Sequence, residues 1–546
     1  MSSKKATGAY YTPEILADFL VSHLIEKYLS NGERLKILEP SVGDGRFLKP
    51  ITEKDYLNNY KFVQVDIVEK NVLELQKATE ILKTTTCSNF RYNSYCGDFL
   101  DFTGKKYDLI IGNPPYINKR HLSKDQIDKC KKLEELYIHE YGETKNIWPA
   151  FIFKSIQHLR KDGIICLILP SELLQVKYTK KIREYLLEEF ERIEIFAFNE
   201  LIFKNEKGGL IEQDVVVFIG IKRHKNKKEK GVSFYQVEQL KDLEIPGYVE
   251  KNSNIHRSKL DKWTNYILED SELDFIQSKV EELNLKPIKY YCEKAEVGIV
   301  TAANKFFIVN NTRIKKYSIK EYAKPIISRG SFIKDKLVLQ NKDIEKLNEL
   351  DKPVNFLDLN INGKELSHAI CHYIKIGERA GLSNRYKMKR REKWYKVPYI
   401  WSPDGVFVKR SHLFPRIVIN QTDSLFTDSF YRIKMKEDYE IKDLAFSFYN
   451  SLSYILAELE GRYYGGGVLE LTPNEFKNSM IPYVSNVSKS HLRKLNKLLS
   501  ENSGPEEILN FTDSIILNSF TNIELEKLRS IRKKLVARRL KKERLS

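Results

Sequence analysis

From about Leu35 to Lys222, short apolar runs rich in β-branched residues alternate with longer stretches whose apolar positions recur at helical spacing. That rhythm predicts β-α-β units, and hence a parallel sheet with helices on both faces. The expected strands are Leu35–Leu38, Phe62–Asp66, Leu109–Ile111, Ile164–Leu169, Arg192–Phe198 and Val215–Ile219. Between the third and fourth, Trp148 to Leu159 carries the helical period and meets Lys161-Asp162-Gly163, which reads as a helix stop. After the charged, apolar-poor run Lys222–Lys230 the rhythm is lost and Lys-, Tyr- and Phe-rich short segments replace it. One α/β domain is therefore expected over residues 1–230 and an irregular α+β domain over 231–510. A basic helical segment is expected over 511–546, with Arg532-Lys533-Lys534 and Arg538-Arg539 on a helical pattern. A solvated helix and a phosphate-contacting one explain that last segment equally well.

Glu39-Pro40-Ser41-Val42-Gly43-Asp44-Gly45-Arg46 follows the first expected strand and opens a helix. It places a small-residue loop at the carboxyl edge of the sheet, where open α/β folds bind their ligands. Gly43 and Gly45 let the backbone approach a ligand, and Asp66, about 20 residues on, can accept from ribose hydroxyls. A dinucleotide enzyme shares those features. Here, however, Ser41 stands where the dinucleotide fingerprint has its first glycine, Glu39 precedes it, and no third glycine follows at the expected spacing. Such an anionic loop repels a pyrophosphate and suits a cationic sulfonium with an amino-acid ammonium. Further on, Asp98 in Gly97-Asp98-Phe99-Leu100 can accept from an adenine amino group while Phe99 covers the ring.

Directly after the apolar run Tyr107–Gly112 comes Asn113-Pro114-Pro115-Tyr116. Two prolines hold φ at about −65° and remove two N–H donors, so the turn is stiff and its carbonyls can accept from something other than the chain. With a planar amide at Asn113 and a ring at Tyr116, the turn is built to hold a flat amine. A tight turn closing a buried strand is the competing reading.

Bulk properties narrow the partners. At 546 residues the chain exceeds the size of one core, so at least two domains are expected. No run approaches a membrane span and the N-terminus lacks the apolar core of a signal peptide, which predicts an intracellular, cytoplasmic protein. The six cysteines form no close pair and have no His partner at ligand spacing, so neither a disulfide framework nor a zinc site is suggested. A net charge of +18 favours a polyanionic partner through counterion release.

Taken together, these residues resemble the gamma-class S-adenosylmethionine-dependent DNA adenine methyltransferases of type II restriction–modification systems. The resemblance runs from Gly8-Ala9-Tyr10-Tyr11-Thr12-Pro13 to about Ile219, with looser echoes beyond. It implies a Rossmann-like methyltransferase sheet followed by a target-recognition domain, and double-stranded DNA as partner. Tyr10, Tyr11 and Thr12 would contact the methionine part of S-adenosylmethionine, with Glu39, Ser41, Gly43 and Gly45 along it. Asp66 would hold ribose, and Asp98 with Phe99 the cofactor adenine. Asn113 and Pro114 would polarise the target amine of a flipped adenine and Tyr116 would stack on it. Phe203 would cover the far face, with core packing as the competing reading. Neither a metal nor a cysteine nucleophile is required, and any restriction endonuclease would be a separate chain. A protein glutamine or RNA adenine methyltransferase is the rival enzyme. In the second half, Arg385, Lys387, Lys389, Arg390 and Arg391, followed by Trp394 and Tyr395, suit contact with a DNA backbone. Val297–Thr301, Ile326–Gly330 and Arg462–Pro473 resemble recurring segments of recognition domains.

Overall fold

A computed structural model describes residues 11–29, 32–53, 55–139, 144–204, 209–211, 213–223, 230–251, 255–256, 260–361, 366–464 and 467–540. The chain divides into two compact units, the first reaching Ser271 and the second spanning Glu272–Leu540.

The first unit opens with helix α1 (Glu14–Lys27) and strand β1 (Gly32–Glu39). Next come α2 (Leu48–Glu53), β2 (Tyr60–Glu69), α3 (Val72–Lys83), β3 (Phe90–Cys96) and β4 (Tyr107–Gly112). They are followed by α4 (Lys124–Ile138), α5 (Trp148–His158), β5 (Leu159–Pro170), α6 (Lys180–Glu189), β6 (Arg192–Phe198) and β7 (Val215–Ile221). The last strands of the unit are β8 (Gly231–Val237) and β9 (Ile255–His256). Ile37, Leu38, Val63, Val65, Ile67 and Leu109 to Ile111 are buried, as strands covered on both faces require. Local signals set the helix starts: the Asn71 side chain caps α3, and Ser123 with Gln126 forms a capping box on α4.

Among the described residues these strands form one sheet of order β3-β2-β1-β4-β5-β7-β6-β8-β9. β1 pairs in parallel with both β2 and β4, so the strand order reverses there and a crevice opens at their carboxyl ends. β7 lies antiparallel between β5 and β6. All six expected strands are present. One boundary differs, since α5 ends at His158 and Lys161-Asp162-Gly163 belongs to β5, and β3 was not expected because Phe90–Cys96 has neither Ile nor Val.

The boundary expected near residue 230 falls inside the first unit. β8 pairs in parallel with β6 and β9 pairs with β8, so residues 231–256 extend the same sheet.

The second unit is mixed, with separate five-, four- and three-stranded sheets among helices. The helix Asn522–Leu540 belongs to it, and its arginines are neither solvated nor turned outward to phosphates. Arg539 donates to Glu458 from Nε at 3.1 Å and from Nη2 at 2.8 Å, Arg532 pairs with Glu506, and Arg538 lies over the Tyr463 ring. Gly467, at φ 66°, lies within the segment Arg462–Pro473. A Cβ there would come within 2.7 Å of the Arg539 carbonyl, so the close approach at Gly467 is to this helix. Gly465 and Gly466 lie outside the described residues. No described helix is long and apolar enough to cross a membrane.

Candidate functional site

The crevice at the carboxyl edge of β1, β2 and β4 is a pocket of about 190 Å3. Its floor comes from the loop after β1, through Pro40, Ser41 and Gly43. Gly43 takes φ 51° and its N–H donates to Glu69 Oε2 at 3.1 Å, so this backbone needs glycine and faces an acid. Gly45 (φ 80°) does not line the pocket. A Cβ there would come within 2.8 Å of the Ile81 side chain, so Gly45 serves loop-to-helix packing rather than ligand approach.

Glu39 ends β1 nearly inaccessible, and its Oε2 has no hydrogen-bond partner among the described residues. Burial first, then Asp44 and Glu69, push its carboxyl well above the ordinary 4.5. An orphaned acidic oxygen beside two further acids is a seat for a cation.

Asp66 requires a correction. It lies three residues short of the end of β2, is buried, and accepts from Tyr107 Oη at 2.7 Å, Asn93 Nδ2 at 2.8 Å and Gln64 Nε2 at 2.8 Å. The strand runs on past the expected end, so Glu69 is the acid at the pocket, where it also accepts from Asn71 N–H at 2.8 Å. The sequence signal for Glu69 was present: it stands two residues before the Asn71 helix cap.

Asp98 lines the pocket. Its Oδ1 accepts from Leu100 N–H at 3.0 Å, its Oδ2 from Gln126 Nε2 at 2.8 Å, and Lys70 Nζ lies 3.5 Å away. Phe99 contributes to the wall, but it is almost fully buried against Phe102 and Phe151. Gln126, Lys70, Ile147 and Phe151 complete this side and were not anticipated. Ser123-Lys124-Asp125-Gln126 announces the start of α4, but nothing local shows that its Gln side chain reaches back to Asp98.

Asn113 sits at the pocket edge at the end of β4, with Pro115 beside it. Its amide is held on several sides. Ser41 Oγ donates to its backbone carbonyl at 3.1 Å, its Nδ2 lies 3.4 Å from Thr12 Oγ1, and Tyr116 Oη donates to Oδ1 at 2.9 Å. Tyr116 Oη is also 2.9 Å from the Ile168 carbonyl, so the turn is tied to β5. Tyr11 lines the pocket half-exposed, and Tyr10 lies outside the described residues. Pro114 is buried. Phe203 is 1% exposed and packs in the core of the unit, so it is a core residue in this structure. Its neighbours Ile202 and Lys204 line an adjoining cavity that shares Tyr11 with the pocket.

In the second unit, Arg385, Lys387, Lys389 and Arg390 are exposed, and Arg390 stacks on Tyr386 with its Cζ 4.2 Å from the ring centroid. Arg391 differs from them. Its guanidinium turns inward and donates to the carbonyls of Val300, Thr301 and Trp394 at 3.0–3.2 Å. It therefore braces the chain instead of facing a partner.

Comparison with known proteins covers both halves. Residues 31–203 match the family model of the Eco57I restriction-modification methylase, and residues 260–517 that of the C-terminal domain of type II methyltransferase M.Eco57I. Type II methyltransferase M.AccI of Acinetobacter calcoaceticus is 25% identical over 95% of each chain. M.BanIII of Aneurinibacillus aneurinilyticus is 23% identical over 76% of this chain and 77% of its own. Among solved structures, the type IIL restriction-modification enzyme MmeI in complex with DNA resembles the fold with a TM-score of 0.58, at 14% identity, over 98% of this chain and 80% of that one.

Proposed function

Because the chain belongs to the type II restriction–modification DNA methyltransferases, we propose that it methylates the exocyclic N6 of an adenine flipped out of duplex DNA, as the modification enzyme beside a separately encoded endonuclease. S-adenosylmethionine, the family's cofactor, supplies an electrophilic methyl group carried on a sulfonium. The pocket suits that molecule: Glu69 can accept from ribose hydroxyls and Asp98 from an adenine amine, while Glu39, which precedes the pocket residues Pro40 and Ser41 without lining the pocket itself, leaves an acidic oxygen that a cationic group would match.

The observation that carries the reading is the anchored Asn113 amide at the pocket edge. An adenine amine is a poor nucleophile because its lone pair is delocalised into the ring. Carbonyl acceptors at Asn113 Oδ1 and Pro114 O would each take one N–H, turn the nitrogen towards tetrahedral geometry and aim its lone pair into the pocket. A carbonyl oxygen has two lone pairs, so the Tyr116 hydroxyl and the amine can share Asn113 Oδ1. Positioning and fixed dipoles then provide the rate, with no covalent intermediate. Unstacking the base costs a few kcal/mol, and the Tyr116 ring, expected to stack on it, is buried in the core of the unit in this structure.

Asn113→Ala should abolish methyl transfer while cofactor binding stays near wild type. Single-turnover assays with labelled cofactor, followed by nucleoside analysis for N6-methyladenine, test it. Near-normal rates in the variant, or label on cytosine, would sink the reading. DNA cleavage by the purified chain with magnesium would remove the separate endonuclease from it.

A further inference from the structure

In the second unit, Val300–Phe306 walls a cleft of about 860 Å3 together with Arg313, Arg385 and Lys387. This segment is held under strain. Ala302 takes φ 62°, a left-handed backbone that a residue with a Cβ seldom adopts. Three successive carbonyls are braced by guanidinium groups: Arg391 Nη2 donates to Val300 O at 3.1 Å and Thr301 O at 3.0 Å, and Arg385 Nη1 to Ala302 O at 2.8 Å. Just before it, Gly298 passes so close to the Thr427 carbonyl that any Cβ would overlap it. Thr301 Oγ1 then bonds to Asn304 Oδ1 and accepts from Ala303 N–H at 3.1 Å, which fixes the Asn304 carboxamide at an exposed position beside exposed Lys305.

Strain persists only where surrounding contacts over-determine it, and it gathers where a surface must be presented in one shape. Along this cleft Lys305, Arg313, Arg385 and Lys387 face a single carboxylate, Asp428, so the charge complements a nucleic-acid backbone. A donor-bearing carboxamide on a rigid loop is the kind of group that reads a base edge.

We propose that the loop Val300–Asn304 is a base-reading element. Lys305 and Lys387 neutralise phosphates of duplex DNA lying in the cleft, the Asn304 carboxamide contacts one base edge, and Arg391 positions the loop without touching DNA. The inference rests on the proposed DNA substrate and adds the residues that select the sequence.

The test uses the full chain, with duplex binding by fluorescence anisotropy over a range of salt and the modified sequence by modification-sensitive sequencing. Asn304→Ala should keep duplex affinity within a few-fold while discrimination at one base position falls about tenfold or more. The double variant Lys305→Ala/Lys387→Ala should keep the same site, bind all duplexes more weakly and lower the salt slope by about 2. Arg391→Lys should relax the site with the slope unchanged. Far-ultraviolet circular dichroism and a thermal unfolding profile matching wild type show that each variant is folded. An unchanged site in Asn304→Ala, or an unchanged slope in the double variant, overturns the proposal. Should the wild-type protein methylate no adenine, the function proposed above fails, and the salt-slope arm still decides for or against the cleft.

Discussion

Glu39 and Glu194 are both almost wholly buried in the first unit, in opposite surroundings. Glu194, within β6, is ringed by His23 Nε2 at 2.6 Å, Lys27 Nζ at 3.0 Å, Tyr28 Oη at 2.5 Å and Arg192 Nη2 at 3.1 Å. Burial pushes its carboxyl up, but His23, Lys27 and Arg192 more than reverse that and hold it well below the ordinary 4.5. Glu39, at the end of β1, has an oxygen with no partner among the described residues and is pushed the other way. Glu194 joins α1 to the sheet with its charge matched by the chain. Glu39 has no such match for its Oε2 among the described residues. The difference teaches that a buried charge serving the fold is matched from within, and that an unmatched one, as at Glu39, is where the proposed function puts a ligand's charge.

Removing the matched charge should have the largest effect. Glu194→Leu strands His23, Lys27 and Arg192 around an apolar side chain and should cost about 3–5 kcal/mol, read as a lowered denaturation midpoint. A midpoint equal to wild type would break the comparison from the structural side. Glu39→Gln should do the reverse: stability unchanged or raised, and cofactor affinity reduced about 10–100-fold by calorimetry, the worth of a charged hydrogen bond. If it destabilises the protein as Glu194→Leu does, Glu39 is also a structural residue.

Titration sharpens the same contrast. The depressed carboxyl of Glu194 contributes stability that is present above the ordinary 4.5 and is lost as pH falls below it. The raised carboxyl of Glu39 works with the opposite sign. Its native form holds a proton that the unfolded chain has released, so the stability it allows declines as pH rises above 4.5. Glu39→Gln should therefore gain on wild type in thermal midpoint progressively above pH 4.5. Cofactor affinity should rise with pH in the wild type, since the proton competes with a cation for Glu39, and be flat in the variant. The smallest effect is expected at the turn. Tyr116→Phe keeps the ring but loses the bonds to Asn113 Oδ1 and Ile168 O, and should slow single-turnover transfer about 2–10-fold without changing cofactor affinity.

Much of the first unit was legible in the chain. Parallel strands covered on both faces leave continuous apolar runs, and all six expected ones are strands. β3 and β8 were not anticipated, since Phe90–Cys96 and Gly231–Val237 are recognised as sheet mainly by the neighbours they pair with. The motifs at the carboxyl edge were legible for the same local reason: a loop after a strand must begin where the strand ends. That reasoning failed at Asp66 because β2 runs three residues further than expected, through the buried Ile67 and Val68, which moved the pocket acid to Glu69.

By itself, then, the sequence determined the alternating sheet, the glycine loop after β1 and the stiff Asn113–Tyr116 turn, because each is set by neighbours in the chain: hydrophobic period, positive φ and proline geometry. Only the tertiary structure decided which charges face inward. Arg391 braces a strained loop, the arginines of the C-terminal helix pair with Glu458 and Glu506, and Phe203 lies in the core, although each reads from its local sequence as a candidate contact. A side chain's partner is set by what folds against it, 81 residues away for Arg539 and 90 for Arg391 with Thr301, and no local pattern encodes that direction.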